Sequence, residues 1–177
     1  MGAGMEALEA IMTRRSVRSF TDEPVTDQQL ETLLRAAMAA PSASNEQPWR
    51  IVVTRDRDVL DRWSKATPFS RPLAKANLGI AVCGETAAIA HEGFWVDDCG
   101  AATQNILLAA HATGLGAVWM GVYPSKLMVA NVRRILKPPH NVTPFALIAL
   151  GHPEKVPDPI DRFRPDFVLT DGWGAKG

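Results

Sequence analysis

The stretch from Gly93 to Thr113 constrains this chain more than any other. It reads as the longest helix, and Ala101, Ala102, Ala109 and Ala110 leave little side chain in the way of a close neighbour. A helix with that surface belongs at the centre of a domain or at a subunit interface, because it invites backbone to pack against it. Gly114 supplies its C-terminal stop. The rest of the fold must be arranged around this element.

Before it, Glu6 to Thr13 reads as a short amphipathic helix with Leu8, Ile11 and Met12 on one side. A second helix opens on a capping box, Thr26 with Gln29 three residues on, carries Leu30, Leu33, Leu34, Ala37 and Met38, and ends at Pro41. Arg50 to Thr54 and Leu78 to Gly84 read as buried strands, with a helix over Asp56 to Ala66 between them. After Gly114, Ala117 to Val122 predicts a strand and Ser125 caps a helix that Pro138 and Pro139 end. Pro144 to Leu150 predicts the last strand. The class is α+β, a central sheet flanked by helices in a single domain over residues 1–177. Past Gly151, Pro153, Pro157, Pro159 and Pro165 punctuate a charged, aperiodic segment. Residues 152–177 are therefore expected to be an extended tail lying across another surface, such as a second subunit.

Charge and cysteine usage remove several classes of function. Lys plus Arg and Asp plus Glu both number 19, so there is no basic field for nucleic acid. Cys83 and Cys99 form no Cys-x-x-Cys pair, which argues against a disulfide framework or a zinc site and fits the cytoplasm. The apolar stretch from Ile106 to Tyr123 is interrupted by His111, Thr113, Gly114, Gly116 and Gly121, so neither membrane insertion nor secretion is expected. The histidines show no H-E-x-x-H spacing, and the serines lack a G-x-S-x-G setting.

Three segments could carry chemistry. Arg14, Arg15, Ser16 and Arg18 put three cations and a hydroxyl within five residues, a composition suited to gripping a phosphate, although a solvated basic turn would look the same. The loop Pro41-Ser42-Ala43-Ser44-Asn45-Glu46-Gln47-Pro48-Trp49 offers two amides that can both donate and accept, so it could read a heterocycle edge or be an ordinary turn. Gly114-Leu115-Gly116-Ala117-Val118-Trp119-Met120-Gly121 lets backbone approach something flat. It is not a dinucleotide fingerprint, because it leaves a helix and enters a strand.

Taken together and in order, these segments resemble the nitroreductase family. The resemblance rests on Arg14-Arg15-Ser16-Val17-Arg18-Ser19-Phe20, the loop from Pro41 to Trp49, the stretch Asp98 to Gly121 and Ala149-Leu150-Gly151-His152-Pro153. It implies a nitroreductase-like fold, an intertwined homodimer with shared active sites, and bound flavin mononucleotide (FMN). It also implies that Arg14, Arg15, Ser16 and Arg18 contact the phosphate and the pyrimidine side of the flavin. By the same likeness Pro41, Ser42, Ala43, Asn45 and Gln47 reach the flavin from the other subunit, and Trp119, Met120 and Gly121 bring backbone N–H groups to it. Arg162 and Arg164 would complete the phosphate site from the tail. The implied activity is ping-pong hydride transfer from NADH or NADPH to a small acceptor such as a nitroaromatic, quinone or activated alkene, with the flavin and no side chain carrying the chemistry. The alternative is a flavin-binding storage or sensing protein with little turnover. Between Gly84 and Gly93 there is no long insertion, which predicts an open site without the lid of specialised branches.

Overall fold

Three helix starts in this chain are fixed by side chains that the sequence places one residue ahead of them. Thr26 Oγ1 accepts from Gln29 N at 3.1 Å while Gln29 Oε1 accepts from Thr26 N at 2.8 Å, closing the expected capping box. Asp56 accepts from Val59 N at 3.0 Å, and Ser125 from Met128 N at 3.4 Å. Each such cap contributes about 1 kcal/mol.

A computed structural model describes residues 5–87, 90–91 and 93–173. The helices are α1 (Ala7–Thr13), α2 (Asp27–Met38), α3 (Arg57–Ser64), α4 (Trp95–Ala112) and α5 (Lys126–Leu136). The strands are β1 (Trp49–Thr54), β2 (Leu78–Glu85), β3 (Gly116–Gly121) and β4 (Val142–Gly151), and short 3-10 turns occur at Ala43–Asn45, Arg71–Lys75 and Pro165–Phe167. Gly93 adopts a φ of +104°, so the longest helix begins two residues later than its apolar pattern suggests. The β2–α4 connection includes residues 88, 89 and 92, which lie outside the described residues, as do 1–4 and 174–177.

The strands form one antiparallel sheet in the order β1-β2-β4-β3. Both of its faces are covered, which explains why β2 and β4 read as unbroken apolar runs rather than alternating ones. Ile80, Val82, Ile148 and Leu150 pack with Leu33 and Ala37 of α2 and Ala102 and Ile106 of α4. On the opposite face Ala81, Leu147, Val118 and Met120 pack with Leu60 and Trp63 of α3 and Val132 of α5. The side chains divide by strand alternation except at the bulge, where the neighbours Phe145 and Ala146 join the same side of the core. Pro144 sits in an interior strand, where a proline would normally break the ladder; the register shift between Val82 and Cys83 accommodates it as a bulge.

α4 is the central helix its alanines predict, with Ala102, Ile106 and Ala110 fully buried against α2 and the sheet. No helix among the described residues is long and apolar enough to cross a membrane. Beyond β4 the chain pairs briefly with the N-terminal segment, through the Phe20–Pro153 bridge and a 3.3 Å bond from Glu154 N to Ser19 O. From there to residue 173 it is extended and exposed apart from the Pro165–Phe167 turn. Ile160, Phe163, Phe167, Val168 and Trp173 lie open on it, Trp173 at 95% exposure.

Candidate functional site

β3 is an edge strand, and the chain uses that edge twice. At its start, Ser16 bridges to Ala117 in parallel, with Val17 N donating to Ala117 O at 3.0 Å. This approach needs a glycine: a Cβ on Gly116 would lie 2.7 Å from Val17 Cγ1. The pairing carries the basic segment 14–18 to the sheet edge. Past Ala117 the outer edge of β3 has no strand partner among the described residues, and the position of a Cβ on Gly121 meets only open space.

Two adjoining clefts result. The first, about 250 Å³, is lined by Arg14, Arg15, Ser16, Arg18, Pro157 and Arg162. The second, about 670 Å³, runs along Val118, Trp119, Met120 and Gly121, with Phe69, Arg71, Pro72 and Lys75 opposite and Arg18 at the join. A volume of that order accommodates a planar heterocycle and a second ring. Trp119, 36% exposed, is braced by Phe145, whose ring centroid lies 5.6 Å away.

The small cleft has the electrostatics of an anion site. Among the described residues none of Arg14, Arg15, Arg18 and Arg162 has a carboxylate partner. Arg15 Nε is buried with no hydrogen-bond acceptor, a costly arrangement that an incoming oxyanion would relieve. Burial, and then the neighbouring charges of Arg15 and Arg162, push the Arg14 guanidinium below its usual range. Cations held together without a counter-ion at a partly buried place fit a phosphate monoester. Behind them, Thr13 Oγ1 donates to Glu9 O at 2.6 Å and so must accept from His111 Nε2 at 2.8 Å. Burial and then the Arg14 charge lower the His111 pKa, against a smaller opposing effect of Glu9. The imidazole anchors the end of α1 rather than facing the cleft.

The remaining expected residues are placed elsewhere. Arg164 is engaged by Asp166 through bonds of 3.0 and 2.8 Å, and its guanidinium carbon sits 4.6 Å from the centroid of the Phe167 ring. It does not line either cleft. The segment Pro41, Ser42, Ala43, Asn45 and Gln47 also lies apart from them within this chain; Gln47 instead borders a separate depression with Met38, Trp49 and Arg50. The loop is nonetheless tightly built. Ala43 N donates to the buried Asp98 Oδ1 at 2.9 Å, Gln47 N to Ser42 Oγ at 3.0 Å, and Gln47 Nε2 to Asn45 Oδ1 at 3.2 Å. Ser44, Asn45 and Gln47 are held at φ of 49°, 58° and 50°, a left-handed backbone that Ser and Gln adopt at a cost. Strain of that kind in an exposed, well-braced loop is characteristic of binding segments.

Phe69, Arg71 and Lys75 escaped sequence reasoning, because a 3-10 turn has too few residues to show a period. The signal was Ser70 followed by Pro72, a start signature for a short helix. Missed too were the unpartnered Asp98 Oδ2 and the network that ties the loop to α4.

Comparison with known proteins agrees with this geometry. The model of the nitroreductase family matches residues 11–78 and 73–152. A protein of Methanothermobacter thermautotrophicus, whose name couples NADH dehydrogenase with NAD(P)H nitroreductase, is 43% identical over 169 residues, 96% of this chain and 88% of that one. A Bacteroides thetaiotaomicron structure of the same description superposes with a TM-score of 0.90 at 36% identity, covering 97% of this chain and 100% of the other. A Desulfovibrio desulfuricans structure, described as a nitroreductase in complex with FMN, gives a TM-score of 0.82 at 33% identity, covering 97% and 99%. With its basic segment pinned to β3 and its matches running through the sheet and α4, the chain belongs to the nitroreductase family.

Proposed function

We propose that this protein is an FMN-dependent oxidoreductase that takes hydride from NADH or NADPH and passes it to a small acceptor such as a nitroaromatic, a quinone or an activated alkene. The observation that carries the reading is the junction at Arg18, where a phosphate-sized cleft of uncompensated cations opens into an aromatic cleft along an unpaired strand edge. The FMN-bound relative supports the choice of cofactor, and the nicotinamide-dependent name of the archaeal relative supports the choice of donor.

Bound FMN would supply the centre that accepts and returns hydride. Arg14, Arg15, Ser16 and Arg162 would hold its phosphate, with Arg18 between phosphate and ring. The free edge at Trp119, Met120 and Gly121 would offer backbone N–H groups to the ring, and the open face of the cleft would take donor and acceptor in turn. No carboxylate, histidine or cysteine lines either cleft among the described residues, so the chain contributes position and charge rather than proton transfer.

The reading includes a homodimer acting in the cytoplasm, where the buried free thiols of Cys83 and Cys99 suit a reducing environment. Leu8, Ile11 and Met12 of α1 are 72%, 54% and 70% exposed, and the exposed apolar side chains of the tail are further surface to cover. A second copy would bury these residues, give the tail over 152–177 a surface to cross, and bring its braced loop at Pro41, Ser42, Ala43, Asn45 and Gln47 to the cleft. Arg164 would then be free to act only if its pairing with Asp166 broke.

The deciding measurement is the absorbance spectrum of the purified protein, mass identification of any released flavin, and NAD(P)H consumption with an added quinone. A colourless protein that stays colourless with added FMN refutes the reading. Bound FMN without NAD(P)H consumption would favour flavin storage. Light scattering that gives a monomer holding a full complement of FMN would refute the shared site.

A further inference from the structure

Once a phosphate monoester occupies the small cleft, the large one still carries Arg71 and Lys75, and no carboxylate lines it to balance them. Neither cation has an ion-pair partner among the described residues. Their backbone is held firmly. Leu73 between them is fully buried, Arg57 donates to the carbonyls of Ala74 and Ala76, and Asn77 Nδ2 donates to Thr21 O at 3.1 Å. On the other side the fully buried Ser70 places its Oγ 3.0 Å from both Thr67 N and Ser64 O. A segment whose backbone is braced on its inner side, with two exposed cations lining a cleft, has the make-up of an anion rim.

We infer that Arg71 and Lys75 bind a phosphate group of the nicotinamide dinucleotide donor, and so select the donor over the uncharged acceptors that share the cleft. The inference rests on the proposed NAD(P)H-dependent function. Nitroaromatics, quinones and alkenes present no phosphate, whereas a dinucleotide whose nicotinamide stacks on a flavin seated along Trp119 and Met120 carries its phosphates out of the cleft that Arg71 and Lys75 line. A third cleft of about 640 Å³ continues beyond Lys75, lined also by Phe20, Arg55 and Asn77. It contains Asp22 and Glu154 as well, while its Arg55 is paired with Asp27 and its Arg57 is taken up by the carbonyls of Ala74 and Ala76, which favours the Arg71–Lys75 side for the phosphate. Charge at the rim also steers the donor during encounter, an effect that salt weakens.

The test is the double variant Arg71→Met, Lys75→Met, loaded with FMN. By calorimetry its affinity for NADP+ should fall about tenfold or more, the equivalent of about 1.4 kcal/mol. The ratio of kcat/KM for NADPH to that for 1-benzyl-1,4-dihydronicotinamide, a donor without phosphate, should fall by a similar factor. Parallel losses for NADH and NADPH place the pyrophosphate on the rim; a loss confined to NADPH places the 2′-phosphate there. The inference is overturned if NADPH and 1-benzyl-1,4-dihydronicotinamide lose equally, if NADP+ affinity is unchanged, or if FMN affinity falls instead while the ratio of these two donors holds. A wild-type protein that binds FMN but is reduced by none of these donors removes the proposed function itself, and this inference with it.

Discussion

Replacing Arg18 with Met removes the cation at the join of the two clefts while keeping much of the side chain's length. If Arg18 only anchored phosphate, both redox states of the cofactor would lose affinity alike. Its place at the join predicts more, because the reduced flavin ring carries a negative charge that the oxidised ring lacks, and a nearby cation stabilises that charge selectively. Two unit charges at about 4 Å interact by about 1 kcal/mol in bulk water and about 4 kcal/mol at an effective dielectric near 20. Arg18 is solvent-exposed, so the lower part of that range applies, roughly 1 to 2 kcal/mol. With about 30 mV for each 1.4 kcal/mol in a two-electron couple, the potential should fall by roughly 20 to 45 mV. Reduction by NAD(P)H should slow while FMN is retained through Arg14, Arg15 and Arg162. Dye-equilibration titration resolves a shift of this size. A variant with an unchanged potential and weaker FMN binding would make Arg18 a phosphate ligand alone.

Other consequences can be checked independently. Arg162→Ala should weaken FMN binding by roughly 1.5 to 3 kcal/mol, as for a lost charge-assisted bond, whereas Arg164→Ala should leave it unchanged because Asp166 and Phe167 already occupy that guanidinium; fluorescence titration giving the reverse order would contradict the placement of the tail. Gly84→Ala would set a Cβ 2.3 Å from Trp95 Cε3, and overpacking of that kind costs about 1 to 3 kcal/mol, so calorimetry should show Tm lower by several degrees. Burial pushes the Cys83 thiol from 9.0 up to about 11 and, with Cys83 and Asp98 adding to it, the Cys99 thiol up to about 12. Because the unfolded chain ionises these thiols first, their contribution to stability is whole below pH 9.0 and is lost as pH rises through about 11 to 12. Denaturant midpoints should therefore decline over that window in wild type and less in a Cys83→Ala, Cys99→Ala variant; an identical decline in both would remove the thiols as the cause.

Much of the fold was legible because each element carries a local signature. The Thr26–Gln29 box, the Ser125 cap and the alanine face of α4 are read directly from neighbouring residues, and each forms as expected. Boundaries moved where one backbone angle decided the matter, as at Gly93. Strand pairing was not legible. Nothing local in β3 or β4 states that they pair, or that Pro144 is tolerated through a bulge formed opposite Cys83 on another strand. Runs such as β2 also look alike in parallel and antiparallel sheets once both faces are buried.

The site divides along the same line. Its cationic half is a run of five residues whose charges are near each other in sequence, so composition could suggest an anion site; the convergence of Arg162 across nearly the whole chain could come only from the family likeness or the fold. The rim at Arg71 and Lys75 comes from the fold alone. Its two cations lie in an aperiodic turn whose outward direction is set by Leu73 entering the core and by Arg57 gripping the carbonyls of Ala74 and Ala76. A surface lysine and arginine become a selective pair only when the backbone beneath them is fixed and a cleft opens in front. Both conditions are tertiary, which is why residues that distinguish donor from acceptor can be the least visible in a sequence that otherwise announces its cofactor.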